Sequence, residues 1–446
     1  MRIIVAGAGE VGSYLAKMLS NENHDIVVID PDEEKLKLIS SHVDVMTVEG
    51  SAASPYILNE ADVKKTDLFI GVTPTEELNI LSSVLSKNMG VSTTIARIEN
   101  EEYLFHNNKE AFIRMGVDSL ISPERLAAME VIGLLKQTGT TQVHDFSGGK
   151  LSLFAIKLDK HAPIINKTLI ESTGMQKGFD FRAVAITRNG KTIIPSGLDQ
   201  FMENDLIYVI TTKTGITKLL QYSGKKPLHV KDIMILGGSR IGTRIAKELE
   251  NHLNIKLIDF EREKCICLAD KLKNSLVIHG DGRDIDLLIE EGIKNMDAFI
   301  AVTGNSEANI LSCLHAKKLG VKRTISEVEN IDYIDLAENI GIDTVINKKY
   351  ISASHIFSFT LQANVASVKY IAGGDAEVLE FVVKEGSRVT EAPLKDLNFP
   401  TNTIVGGIVR GKSCFIAMGN SEIKANDKVV VFALPESIAL VEKLFN

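Results

Sequence analysis

The stretch IIVAGAGEVG, residues 3–12, contains the pattern that decides the fold. An apolar strand runs into Gly7, Gly9 and Gly12, which have the spacing G-x-G-x-x-G. In this pattern Gly7 permits a tight turn, Gly9 lets a pyrophosphate approach the backbone, and Gly12 lets the next helix pack closely on the strand. The free N–H groups at the start of that helix favour phosphate. The glycine spacing alone is weak evidence for nucleotide binding, so the interpretation depends on the helix, strand and acid that follow it.

The context of the glycines is that of a dinucleotide-binding unit. Helical spacing of Val11, Leu15 and Leu19 follows, and a second apolar strand, HDIVVID, ends in Asp30, close to the place where the motif expects an acid. An acid at this position accepts hydrogen bonds from ribose hydroxyls, and its charge repels a 2′-phosphate, which favours NAD(H) over NADP(H). The alternative is a tight turn in a doubly wound sheet that holds no phosphate.

Four further strand patterns alternate with helical patterns up to residue 122. They end near Gly50, at Thr73–Pro74, at Arg97–Ile98 and just before Pro123. This alternation predicts a doubly wound parallel sheet, in which ligands bind at the carboxyl ends of the strands. Residues at those ends therefore join the candidate set. Arg97 either meets a phosphate or ribose, or is an ordinary surface arginine.

The second half of the chain repeats the first. The stretch IMILGGSRIG, residues 233–242, repeats the opening, and DLFIGVTPTEELNILS returns as DAFIAVTGNSEANILS. In the second copy Ser239 replaces the middle glycine, Arg240 replaces Glu10, and Glu327 replaces Arg97. The second site therefore binds a different nucleotide, binds more weakly, or serves as scaffold alone.

Two shorter segments, residues 145–224 and 366–446, also resemble each other. Both have a strand, an R-(N)-G-K hairpin, a second strand, an Asn-Asp pair before another apolar strand, and a short final helix. These features predict small α+β modules. A joining segment precedes each one, PERLAAMEVIGLLKQ and KKYISASHIFSFTLQ. Each is predicted as a helix that either crosses to a neighbouring module or subunit, or packs within its own domain.

The predicted fold is α/β, with two doubly wound Rossmann-like parallel-sheet modules, each followed by a small α+β module. The predicted boundaries are 1–122 for the first nucleotide-binding module, 123–143 for a linking helix, 144–226 for the first small module, 229–348 for the second nucleotide-binding module, 349–365 for a linking helix and 366–446 for the second small module.

Composition and motifs exclude several classes of function. A formal charge of −8 provides no basic surplus for nucleic acid, and no apolar run approaches the length of a membrane span. The amino-terminal segment has the pattern of a strand and not of a signal sequence, which favours the cytoplasm. The four cysteines form neither a disulfide framework nor a zinc motif, so buried thiols and no metal site are expected.

Catalytic motifs are missing from the pattern. The two-module repeat uses the whole chain, so no separate substrate domain is left to supply an acid or base beside a nicotinamide. A binding protein that is not an enzyme is therefore the leading hypothesis. The alternatives are a soluble NAD-dependent oxidoreductase with a degenerate duplicate, and a scaffold in which both turns are empty.

The first module contains the stretches GAGEVG, VID with Asp30, EGSA, GVT and ARIE. These stretches are similar to motifs of the TrkA family. Its members are the peripheral NAD-binding subunits of bacterial and archaeal Trk potassium uptake systems, and they consist of tandem RCK (KTN) domains. The resemblance covers essentially the whole chain. It implies a regulator at the cytoplasmic face of the membrane that assembles into an RCK ring and docks onto a membrane-embedded, TrkH-like potassium-translocating subunit. It also implies NAD(H), and in addition ATP or ADP, as ligands.

Strand ends and resemblance together define the candidate residues of the two sites. At the first site they are Gly7, Ala8, Gly9, Glu10, Val11, Asp30, Gly50, Thr73, Pro74, Arg97 and Ile98. At the second site they are Gly237, Gly238, Ser239, Arg240, Ile241, Asp259, Thr303, Gly304, Glu327 and Val328. The small modules either hold a ligand or form dimer contacts.

Overall fold

The computed structural model describes residues 1–21, 24–136, 142–174, 181–188, 191–212, 215–216, 219, 230–357, 359–360, 365–370 and 376–446. The chain forms two compact units. The first comprises residues 1–126 and 348–362, and the second comprises residues 127–347 and 363–446. Each unit is described by itself.

The first unit contains a six-stranded sheet in which every strand is parallel to its neighbours, in the order β3-β2-β1-β4-β5-β6. Its strands are β1 (Arg2–Ala6), β2 (Asp25–Asp30), β3 (Met46–Glu49), β4 (Leu68–Gly71), β5 (Thr93–Arg97) and β6 (Ser119–Ile121). Its helices are α1 (Glu10–Asn21), α2 (Glu33–His42), α3 (Pro55–Glu60), α4 (Glu76–Asn88) and α5 (His106–Met115). This strand order is that of the dinucleotide-binding Rossmann fold, which confirms the predicted parallel module.

Burial explains why these segments form the sheet. The central strands β1 and β4 are near-continuous apolar runs, and Ile3, Ile4, Phe69 and Ile70 are each 0% exposed. Parallel strands covered by helices on both faces require such runs. Helix α5 was not predicted, because it buries none of its own residues completely and so lacks a strong apolar period.

The second unit contains a parallel sheet of the same order, β14-β13-β12-β15-β16-β17. Its strands are β12 (Asp232–Leu236), β13 (Asn254–Asp259), β14 (Ser275–His279), β15 (Ala298–Ala301), β16 (Arg323–Glu327) and β17 (Thr344–Ile346). Its helices are α8 (Arg240–Leu249), α9 (Arg262–Lys271), α10 (Ile285–Glu290), α11 (Ser306–Lys318) and α12 (Asp332–Asn339). The repeat seen in the sequence is therefore a repeat of topology.

The two small modules also share one topology and lie in the second unit. Their antiparallel sheets have the orders β10-β9-β11-β8-β7 and β21-β20-β22-β19-β18. The first module has β7 (Gln142–Phe146), β8 (Leu151–Lys157), α7 (Leu169–Gly174), β9 (Phe181–Arg188), β10 (Lys191–Ile193) and β11 (Leu206–Thr212). The second has β18 (Val365–Tyr370), β19 (Glu377–Val382), β20 (Thr403–Arg410), β21 (Ser413–Ile416), β22 (Lys428–Ala433) and α14 (Pro435–Phe445).

One apolar core joins the two small modules. Phe146 and Tyr208 of the first module and Val430 and Phe432 of the second belong to the same cluster, and each is at most 1% exposed. The predicted final helix of the first module, GITKLLQY, and the linker YSGKKPLHVKD lie mostly outside the described residues.

The linking helices are α6 (Pro123–Lys136) and α13 (Lys348–Phe357). Strand β7 already begins at Gln142, because residues 142–146 pair with β8. Helix α13 packs on α1 of the first nucleotide-binding module, where the rings of Tyr14 and Tyr350 are 5.2 Å apart. Of the alternatives left open by the sequence, α13 therefore takes the one in which it crosses to a neighbouring module.

The cysteine side chains differ in their exposure to solvent. Cys265 and Cys313 are buried as expected and Cys414 is half-buried, but the expectation is wrong for Cys267, which is exposed. That side chain lies on the outer face of α9.

Within the described ranges, no helix is both long enough and apolar enough to cross a bilayer.

Candidate nucleotide-binding site

The glycine turn of the first module joins β1 to α1. Gly7 has a φ of +113°, which disfavours any side chain. A Cβ on Gly12 would collide with the carbonyl oxygen of Gly7, so α1 packs directly on the turn. A Cβ on Gly9 would meet no atom within 4 Å. The backbone of Gly9 therefore borders open space beside the first turn of α1, whose N–H groups have no intrahelical acceptors.

Asp30 supports this turn from the end of β2. Its Oδ2 accepts a hydrogen bond from the N–H of Ala8 at 2.7 Å, and its Oδ1 accepts one from Asp32 at 2.9 Å. Its carbonyl oxygen accepts the N–H of Gly50 at 3.0 Å. A carboxylate has about four lone-pair sites, so each oxygen keeps one for a ribose hydroxyl. The predicted ribose acceptor is thus also a brace that orients the glycine turn.

An asparagine that was not among the candidate residues ties β4 to β5. The Oδ1 of Asn79 accepts the N–H of Thr73 at 2.8 Å and its Oγ1–H at 2.7 Å. The Nδ2 of Asn79 donates to the carbonyl oxygens of Thr73 at 3.0 Å and Arg97 at 2.9 Å. Asn79 therefore fixes the spacing of two predicted site segments.

The second module repeats this clamp. Asn309 is the counterpart of Asn79 in the sequence repeat. It accepts from Thr303 and donates to the carbonyl oxygens of Thr303 and Glu327, at 2.6–3.0 Å. The signal that identifies these asparagines in the sequence is their identity across the repeat.

Arg97 is neither free nor fully exposed. Its Nη2 lies 3.6 Å from Oε1 of Glu99 and 3.8 Å from Oε1 of Glu124, and its side chain is 21% exposed. These two carboxylates balance part of its charge. A phosphate at the end of β5 would therefore compete with them for the guanidinium.

Other candidates of the first site contribute in different ways. Glu10 turns toward α13, where its Oε2 lies 3.0 Å from Nζ of Lys349. Ile98 is 0% exposed and donates its N–H to Ile121, so its side chain faces the core. Pro74 lies exposed after β4, and Val11 is half-buried in the first turn of α1.

The same edge of the second sheet forms a cleft of about 520 Å³. This volume lies in the range of small-molecule sites, which is about 300–1,000 Å³. The predicted residues that line it are Gly237, Ser239, Asp259, Thr303 and Gly304. Two cations that were not among the predicted residues, Lys264 and Arg283, also line it, together with Asp281, which pairs with Arg283.

Asp259 braces the second turn as Asp30 braces the first. Its Oδ2 accepts the N–H of Gly238 at 2.7 Å and its Oδ1 accepts that of Glu261 at 3.0 Å. In addition, Nζ of Lys264 lies 2.9 Å from Oδ2. Burial raises the pKa of Asp259, but the Glu261 N–H, the Lys264 ammonium and the Gly238 N–H outweigh it and hold the pKa below its usual range. The lysine leaves less of this carboxylate free for a ribose.

Ser239 occupies the place of the middle glycine and caps α8. Its Oγ accepts the N–H of Gly242 at 3.3 Å. The side chain thus turns back onto the helix and satisfies a donor that a phosphate could otherwise use.

The remaining candidates of the second site differ in exposure. Ile241 and Val328 are 2% and 0% exposed, so their side chains belong to the core. Glu327, at the end of β16, is 3% exposed, whereas Arg240 is exposed at the start of α8. The charge reversal from Arg97 to Glu327 therefore places a buried acid at this edge.

Both edges fit a nucleotide. Each combines a glycine turn beside a helix start, which suits phosphate, with a braced aspartate that suits a ribose. The first edge offers the more open turn and the freer carboxylate.

Two family models match the chain. The TrkA-N domain matches residues 3–123 and 233–348, and the TrkA-C domain matches residues 153–224 and 378–446. Trk system potassium uptake protein TrkA homolog 1 of Methanosarcina mazei is 32% identical over 455 residues, which cover 100% of both chains. The chain belongs to the TrkA family. Trk system potassium uptake protein TrkA of Vibrio alginolyticus is 32% identical over 453 residues, which cover 100% of this chain and 98% of that one. The family resemblance inferred from the motifs is thereby confirmed.

Solved structures share the fold of this TrkA-family chain. The structure of the GsuK RCK domain aligns with a TM-score of 0.62 and 16% identity, over 100% of this chain and 94% of its own. The structure described as the GsuK channel bound to NAD aligns with the same score and identity, over 100% of this chain and 78% of its own.

Proposed function

We propose that this chain is the nucleotide-sensing regulatory subunit of a potassium uptake system. Its full-length similarity to proteins named as Trk system potassium uptake proteins supports this assignment. The observation that carries the sensing role is geometric. Both parallel sheets present a glycine turn braced by an aspartate, Asp30 or Asp259, and a Thr–Asn clamp at the same edge.

The ligand of the first edge is NAD(H), with ATP or ADP as further ligands. The N–H groups at the start of α1 and the backbone of Gly9 hold the phosphates, and Asp30 accepts the ribose hydroxyls. Thr73 and Pro74 border the same edge, and Arg97 supplies a partly balanced positive charge. A related fold described as bound to NAD supports this choice.

The second edge binds a nucleotide more weakly or prefers a different one. Ser239 satisfies a donor of the helix start, and Lys264 occupies part of Asp259. Lys264 and Arg283 also line the cleft, where each pairs with a carboxylate, Asp259 or Asp281. A phosphate would have to compete with these carboxylates for the two cations.

The partner is a membrane-embedded, TrkH-like subunit. Copies of this chain assemble into an RCK ring that docks onto this subunit at the cytoplasmic face of the membrane. Nucleotide shifts the ring between arrangements only by its difference in affinity for them, and a tenfold difference corresponds to about 1.4 kcal/mol. The domain boundaries that we propose are those predicted from the sequence, except that the first small module begins with β7 at Gln142. Helix α6 precedes the first small module and α13 precedes the second.

Titration of the full-length protein with NADH by calorimetry tests the proposal. Replacement of Gly9 by Val is the decisive variant, because its Cβ meets no protein atom but enters the space beside the helix start. We expect wild type to bind NADH and Gly9→Val to bind at least tenfold more weakly, with an unchanged circular dichroism spectrum. Gly133→Ala, in α6, is the control. Equal binding by wild type and Gly9→Val would overturn the site.

The role as a regulator is tested by turnover and by transport. We expect no steady oxidation of NADH with a panel of small carbonyl compounds, and loss of nucleotide-dependent potassium uptake when the gene is deleted. Steady turnover that Asp30→Arg abolishes would establish the oxidoreductase alternative instead.

A further inference from the structure

A second cavity lies between the two small modules. Its volume is about 290 Å³, and none of the candidate nucleotide-site residues lines it. Its walls are mainly apolar and come from both modules, including Ile164, Leu169, Phe181, Ile404, Ile416 and Met418.

Among the described residues, one charged side chain, Arg182 of β9, lines this apolar cavity. Its Nη1 donates to the carbonyl oxygen of Ala417 at 2.6 Å and lies 3.4 Å from that of Val405. Within the described part of the chain, no carboxylate lies within ion-pair distance of Arg182, and its Nε–Nη2 edge has no hydrogen-bond acceptor. Burial lowers the pKa of this guanidinium. A half-buried cation in an apolar cavity, with no described carboxylate at ion-pair distance, favours an anion at this edge.

The repeat shows that the fold does not need this charge. The framework arginine of each small module is paired: Arg188 with Asp205 at 2.7 Å, and its counterpart Arg410 with Asp427 at 2.7–2.8 Å. When these two arginines are aligned, the position of Arg182 falls on Ile404 of the second module, which lines the same cavity. The first small module therefore has a cation, Arg182, at the position where the second has an aliphatic residue, Ile404.

We propose that this cavity binds a small carboxylate with an apolar body, whose two oxygens are held by the Nε–Nη2 edge of Arg182. A planar guanidinium matches a carboxylate with two parallel hydrogen bonds, and the apolar walls match a hydrocarbon chain. The ligand contacts both small modules, since Arg182 belongs to the first and Ala417 and Met418 to the second.

The test is a calorimetric titration of the full-length protein with octanoate, 1-octanol, octylammonium and inorganic phosphate. We expect octanoate to bind at least tenfold more tightly than 1-octanol, and we expect neither octylammonium nor phosphate to bind at this site. Octanoate binding no tighter than that of 1-octanol, or displacement of octanoate by phosphate at equal concentration, would overturn the proposal. This comparison uses wild type alone.

Variants assign the binding to Arg182. Arg182→Ile introduces the residue that the repeat already has at this place, and we expect it to keep the thermal midpoint while it weakens octanoate at least tenfold. Arg182→Lys, which keeps the charge without the fork, should give an intermediate affinity. Arg114→Ile, at an exposed position of α5, is the control and should bind as wild type does. Wild-type affinity for octanoate in Arg182→Ile would refute the assignment.

Discussion

Asp30 and Asp259 occupy equivalent positions, and each both braces its glycine turn and offers an acceptor to a ribose. The interval from the glycine motif located both in the sequence, because an acid after the second strand has a fixed distance from the turn. Their hydrogen bonds to Ala8 and Gly238 could not be predicted, since they depend on the direction of each N–H in the folded turn. Lys264 was missed because its pairing with Asp259 joins a helix to a strand end.

Replacement of Lys264 by Met should raise the pKa of Asp259. The folded pKa is depressed, so the carboxylate adds stability that is present above its unfolded pKa, near 3.8, and is lost as the pH falls through the folded value. With the ammonium gone, the loss should end at a higher pH and the total stabilisation above the unfolded pKa should be smaller, so the protein should unfold at a higher pH in an acid titration followed by circular dichroism. Lys37→Met is the control, since Lys37 pairs at 2.8 Å with Glu33 on the exposed face of α2. An unchanged acid transition in Lys264→Met would contradict this account.

Asn79→Ala should destabilise the first module by about 2–3 kcal/mol, because it leaves buried groups of Thr73 and Arg97 without partners. Asn79 is 1% exposed. Hydrogen exchange of the Thr73 amide and the thermal midpoint measure the effect. Asn88→Ala removes an exposed asparagine bond in the same helix and should have little effect. Equal behaviour of the two variants would show that the clamp is not needed.

At the scale of the elements, sequence patterns predicted the strands and the long helices well. Continuous apolar runs and helical spacing report burial directly, so β1, β2, β4 and α4 appear where they were expected. The partner of α13 could not be predicted, because spacing shows which faces of a helix are apolar but not what covers them. Its contact with α1, through Tyr14 and Tyr350, is a property of the folded unit.

The cap of α8 can be separated from its effect on ligand binding. Ser239→Ala should lower the stability of the second module by about 1 kcal/mol, because the helix loses its capping acceptor, whereas Ser239→Gly should cost only a few tenths of that amount. Under the proposed function, Ser239→Gly should also bind nucleotide more tightly at the second edge. Thermal unfolding and NADH titration measure the two effects. If Ser239→Ala bound NADH more tightly than Ser239→Gly, the role of the open turn in nucleotide binding would be contradicted.

At the scale of the whole molecule, the duplication was visible from the sequence, but the joining of its small modules was not. Identity between repeats reveals common ancestry of segments, whereas the shared core depends on which sheet faces meet. Phe146 and Phe432 lie in one cluster, and Nζ of Lys150 donates to the carbonyl oxygen of Gly411 at 2.5 Å.

Division of the chain after Lys225 should therefore yield two fragments that depend on each other. Each fragment alone would expose the apolar face that the other covers, so we expect residues 1–225 and 226–446 to be poorly soluble when expressed singly and to co-purify when co-expressed. Analytical ultracentrifugation and a pull-down through a tag on one fragment measure this. Two soluble, monomeric fragments would show that the shared core is dispensable.

The shared core also bears on how the two edges can evolve. In a pair of identical chains, any substitution appears on both sides of the symmetry axis. Here the halves are covalently joined, so Gly9 and Arg97 persist at one edge while Ser239 and Glu327 stand at the other. Fusion thus releases each edge from the constraint of matching its twin, so that under the proposed function the two edges can take different ligands.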